Sequence, residues 1–79
     1  MPLVKNTGEA GSYVMTVLPN SPKTVSCDTG TVDIYRYDGG VRASAASDQV
    51  SPGSSKDVLG AGPWELVRSA DTVKLYVSP

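Results

Sequence analysis

The segment Thr72-Val73-Lys74-Leu75-Tyr76-Val77 alternates polar and apolar residues without a break. Successive side chains of a β-strand point to opposite faces, so this spacing places Val73, Leu75 and Val77 on one face and Thr72, Lys74 and Tyr76 on the other. The same period recurs in Lys23–Cys27 and from Thr31 to Tyr37, and Tyr13–Leu18 is rich in β-branched residues. No apolar pattern of helical period extends over the length of a helix, and no segment repeats. These patterns confine the chain to an all-β fold.

Turn chemistry divides the strands. Pro19-Asn20-Ser21-Pro22 ends the first long strand, and Asp28-Thr29-Gly30 reads as a tight turn. Asp38-Gly39-Gly40 is a hairpin signal, because glycine supplies the positive φ that primed turns need. Val41–Ser47 fits either a poor strand or a single helical turn, and Ser51-Pro52-Gly53-Ser54-Ser55 is a loop by composition. Trp64–Arg68 and Thr72–Val77, joined by Ser69-Ala70-Asp71, read as a terminal hairpin. The sum is a small antiparallel β-sandwich or jelly-roll-like barrel of about six short strands. Residues 1–12 read as an extended N-terminal arm and residues 13–79 as a single β domain. An arm of that composition is ordered only where something ties it down.

Composition sets the limits on function. The 79 residues carry 7 basic against 8 acidic side chains, net −1, whereas a nucleic-acid binder normally shows a clear basic excess. No apolar run approaches the ~20 residues of a membrane-spanning helix. Met1–Asn6 lacks the apolar stretch of a secretory signal, so the expected setting is a reducing cytoplasm. With no His, the usual general base and the usual metal ligand are both missing. Val, Ile and Leu total 17 residues and Phe is absent, so the core is small and its stabilisation is only about 3–5 kcal/mol. Such a chain gains from contacts with other copies or partners.

Few residues invite chemistry. Cys27 has no His to deprotonate it and reads as a small buried hydrophobe. Asp28, Asp33 and Asp38 recur every five residues, but strand alternation separates them and no calcium loop is formed. No metal and no cofactor are expected. Asp28-Thr29-Gly30, with Val25-Ser26-Cys27 leading into it and Val58-Leu59-Gly60 further on, resembles the retroviral-type aspartic proteases. That resemblance implies a homodimer in which two copies of Asp28 share a proton and activate a water. Thr31 after the glycine and Ala61-Gly62-Pro63 in place of a helix depart from the family pattern. The alternative for the same three residues is an ordinary turn with Asp28 accepting a backbone N–H.

Asp33 is costly to bury unpaired, so Val32 and Ile34 face inward and Tyr35 and Tyr37 outward. Tyr35, Arg36 and Tyr37, joined by Tyr76 if their strands pair, form the candidate contact patch, with Leu3 and Val4 contributing from the arm. The same tyrosines suit a carbohydrate- or host-surface-binding module, or serve as cross-strand packing. Trp64 is the expected core anchor. The Val- and Thr-rich strands, the Leu59-Gly60-Ala61-Gly62-Pro63-Trp64-Glu65-Leu66-Val67-Arg68 segment and the final strand together resemble small accessory proteins of tailed-phage virions. That resemblance implies a non-enzymatic structural protein that forms homo-oligomers and binds a capsid or tail protein. It would be found in the virion or the host cytoplasm.

Overall fold

The alternating segments pair as two antiparallel sheets in a computed structural model that describes all 79 residues. Nine strands follow in order: β1 (Leu3–Lys5), β2 (Tyr13–Val17), β3 (Lys23–Cys27), β4 (Val32–Asp38), β5 (Val41–Arg42), β6 (Asp48–Val50), β7 (Ser55–Val58), β8 (Gly62–Arg68) and β9 (Leu75–Val77). One sheet has the order β1-β9-β3-β7. In the other, of order β2-β8-β4, both β5 and β6 pair with the outer side of β4. The chain is an all-β sandwich, with more strands than the turn signals suggested because β1, β5 and β6 are pieces of only two or three residues.

The chain changes sheet at every connection except β4 to β5 to β6. Asp38-Gly39-Gly40 makes the one tight hairpin, with φ +60° at Gly39 and +80° at Gly40, as a primed turn demands. Val41–Ser47 is neither a full strand nor a helical turn. Two residues pair as β5 and the rest loops out, while the Ala43 and Ser47 N–H groups still bond to Arg36 and Ile34 carbonyls of β4 at 2.8 Å.

The core is the inward set that alternation selects: Met15, Val17, Val32, Ile34, Trp64 and Leu66 from one sheet, Val25, Cys27, Val58, Leu75 and Val77 from the other, with Val50 and Val73. Burial pushes the Cys27 thiol up from its ordinary pKa, and the neighbouring Asp28 adds to this. Cys27 is thus an inert core residue.

Trp64–Arg68 and Thr72–Val77 do not form a hairpin. β8 lies between β2 and β4, and β9 lies between β1 and β3 in the facing sheet. The link between them turns where Val73 N–H meets the Ala70 carbonyl at 3.2 Å and drops Val73 into the core. The Asp28 carboxylate then receives Lys74 N–H at 2.9 Å and hands the strand to the other sheet. Both segments share an apolar face because they cover one core from opposite sides. Gly30 permits this crossing: its φ is +66°, and a Cβ there would lie 2.5 Å from Val73 Cγ2 and 2.6 Å from Ser69 Oγ.

Residues 1–12 lie along the sandwich. β1 pairs with β9, and residues 6–11 curl over the end of the sandwich around Arg68. Arg68 continues the inward register of Trp64 and Leu66, and its side chain is only 2% exposed. Its Nη1 donates to the carbonyls of Asn6 (3.2 Å), Asp71 (3.2 Å) and Val73 (3.0 Å), and its Nη2 donates to those of Glu9 and Gly11, the latter at 3.2 Å. The Asp71 carboxylate stands 3.8 Å from Nη2.

Arg68→Lys keeps the charge but offers three donors to five carbonyls, so it should destabilise, and Arg68→Ala should cost about 3–5 kcal/mol and unfold most of the protein. Urea unfolding followed by circular dichroism measures both. Gly30→Ala combines left-handed backbone strain with a clash against Val73 and should lose roughly 1–3 kcal/mol in the same assay.

Candidate functional site

The structure separates the residues that the sequence grouped. β4 and β9 lie in different sheets, so Tyr76 is on the opposite side of the molecule from Tyr35 and Tyr37. Leu3 is the Cα partner of Tyr76, and these two share the outer face of the β1-β9-β3-β7 sheet. Val4 points the other way, against the core. Arg36 faces inward at the end of the sandwich far from Arg68, with its guanidinium 5.0 Å from the centre of the Trp64 ring and Nη2 bonded to the Ala61 carbonyl at 3.1 Å. Trp64 is in the core, as the sequence implied, and its indole N–H bonds to the Gly60 carbonyl at 2.8 Å. Thus Tyr35 and Tyr37 form one surface without Arg36.

That surface holds a polar network that sequence reasoning missed. Glu65 points outward from β8, between Val14 of β2 and Tyr35 of β4, yet it is 9% exposed. The cover comes from two side chains. Tyr37 Oη donates to Glu65 Oε1 at 2.7 Å, and Arg42 Nη1 lies 3.0 Å from Oε2. To reach Glu65, Arg42 crosses the Tyr35 ring, its guanidinium carbon 4.4 Å from the ring centre. One row along, Gln49 Nε2 donates to Asp33 Oδ1 at 2.8 Å. The hydrogen bond from Tyr37, followed by contacts from Ser12 and Arg42, holds the Glu65 carboxyl below its ordinary pKa despite the opposing effect of burial. The same bond is the main reason the Tyr37 phenol is held above its ordinary value. This network fixes β5 onto the sheet and keeps both tyrosines rigid, and Arg42 occupies a face of Tyr35 that a sugar ring would need. The only sequence signal for Glu65 was its outward register between Trp64 and Leu66, and nothing local indicated its partners.

The Asp28 carboxylate is exposed and accepts two backbone N–H groups, from Thr29 at 2.8 Å and from Lys74 at 2.9 Å. The Lys74 bond is the main reason that its pKa is lowered. Asp28-Thr29-Gly30 therefore acts as a turn that ties β3 to the start of β9. No group of three or more Cys, Asp or Glu side chains is gathered as a metal site.

Two clefts open along the sides of the sandwich. The larger, about 350 Å³, runs along the free edge of β2, where Tyr13, Val14, Met15 and Thr16 face Val4, Val77 and Pro79 across the gap, with Lys23 at the rim. The smaller, about 260 Å³, lies between the edges of β6 and β7 and is floored by Ile34, Val58 and Trp64. Asp48 and Asp57 stand at its mouth, Asp57 accepting from Thr24 Oγ1 at 2.8 Å and Asp48 3.8 Å from Lys56. Exposed apolar side chains lie near both, Val14 being 56% exposed and Leu59 72%. The sequence matches no protein-family model, and neither a curated protein nor a solved structure is significantly similar to the chain.

Tyr37→Phe removes the hydrogen bond to the Glu65 carboxylate and should lower the midpoint of urea unfolding. The pH dependence has two limbs. Because the folded Tyr37 pKa is raised, the contribution of this bond is complete below about pH 10 and lost as pH rises through the folded value. Because the folded Glu65 pKa is lowered, its contribution is present above about pH 4.3 and lost as pH falls through the folded value. Both limbs should flatten in Tyr37→Phe, with the alkaline limb read by tyrosine absorbance.

Proposed function

We propose that this protein is a non-enzymatic structural subunit, an accessory of a virion head or tail, that works through contacts with its own copies and with a capsid or tail protein. The observation that carries this reading is the unclosed side of the sandwich. Along the β1 and β2 edges both layers end without a further strand, and the apolar residues Val4, Met15 and Val77 line a cleft of about 350 Å³. A small domain with a slender core is stabilised when such a surface is covered by another chain. Leu18, Val41 and Leu59, all exposed at or beside turns, offer further apolar contact points around the molecule. The rigid outer face around Tyr35, Tyr37, Arg42 and Glu65 suits protein contact, since Tyr and Arg held in place lose little entropy on binding. The chain's place would be the virion and the cytoplasm of the host cell.

The test is immunogold labelling of particles released by the cells that encode this chain. Label at a fixed position on the head or tail is the expected result. Abundant particles that carry no label, from cells that contain the protein, would overturn the reading.

A further inference from the structure

We infer that β2 is a self-pairing edge, through which two copies of this chain join antiparallel across a two-fold axis near Met15. Every other edge carries a device that discourages strand addition. β1 has an irregularity between Leu3 and Lys5, β5 and β6 are broken apart by residues 43–47, and β7 carries Lys56 and Asp57. Inward or edge charges and irregularities of this kind are how sheets avoid pairing with other chains. β2 has none of them. From Tyr13 to Leu18 the sequence is Tyr-Val-Met-Thr-Val-Leu, without charge, proline or bulge, and β2 pairs only with β8.

The occupant follows from symmetry and charge. A two-fold interface brings a surface against its own image, so any charge near the axis would meet its like. β2 itself carries none, the charge bordering its cleft being Lys23 on β3 at the rim, and the whole chain, at net −1, adds little long-range repulsion. Pairing about Met15 sets Val14 of each copy opposite Thr16 of the other, and Tyr13 opposite Val17. Val14 and Thr16 are both exposed on the outer face, so their side chains meet there without rearrangement. On the inner side the two β2 clefts meet across the axis, where the partly buried Tyr13 and Val4 of each copy face the other's apolar lining. The two β2-β8-β4 sheets become one continuous sheet. This pairing rests on the assembly reading above and supplies its elementary contact.

Sedimentation velocity across a hundredfold range of concentration tests it with three proteins. The wild-type chain should shift from monomer toward dimer as concentration rises. V14K/T16K sets lysines opposite lysines across the axis and should remain monomeric over the whole range. V14K/T16E sets each lysine opposite a glutamate and should dimerise again at low salt. Both positions are exposed, so melting followed by circular dichroism should show all three monomers folded alike. If the wild type oligomerises and V14K/T16K does so equally, the edge pairing is overturned while assembly through another surface stands. If the wild type is monomeric throughout, the pairing is overturned; particle labelling then judges the accessory role separately.

Discussion

The fold depends on one buried cation. Arg68 sits at the end of the sandwich, where the N-terminal segment, the β8–β9 link and the last inward position of β8 converge. Loops that cross the end of a sandwich have carbonyls with no strand partner, and such groups are costly when shut away from water. A guanidinium spreads its donors in a plane wide enough to serve several at once, which an ammonium cannot do. One side chain therefore seals the end of the core and fixes residues 6–11 against the domain. Its Nε has no partner, and the Asp71 carboxylate 3.8 Å away is its nearest ion-pair partner. Buried charge in this form is a weak source of net stability, yet removing it would strip a donor from five loop carbonyls at once.

The sandwich is otherwise built by repeated crossing between its two layers. Each crossing needs a turn that reverses the chain and lets it drop from one sheet to the other. Pro19 and Asn20 do so with Asn20 at φ +61°, and Asp28-Thr29-Gly30 does so with the Asp28 carboxylate bridging to Lys74. The same three residues that resemble a protease motif are thus fully employed in holding β3, β4 and β9 in register. The outer face is organised by the opposite strategy. Glu65 is an outward residue drawn under Tyr37 and Arg42, which makes a rigid polar surface from groups that would be mobile alone. The two ends and the outer face are closed, whereas the β2 edge is open, and this contrast gives the functional reading its location.

The alternation in Lys23–Cys27, Thr31–Tyr37 and Thr72–Val77 determined the all-β class, the inward residues and the hairpin at Gly39-Gly40, because these follow from side-chain parity and local φ. Arg68 also lies inward beside Trp64 and Leu66, but a lone arginine at the end of the Trp64–Arg68 segment signalled neither its burial nor the carbonyls it would serve. Only the tertiary structure decided which strands are neighbours: it put β8 and β9 in facing sheets, parted Tyr76 from Tyr35, and turned Arg36 onto Trp64. The reason is physical. A strand's pattern states that one face is buried but is the same whichever sheet it joins, since both sheets cover a single core. Likewise Glu65 and Arg42 lie 23 residues apart, and their pairing required the register of β5 on β4 and of β4 on β8 before it existed.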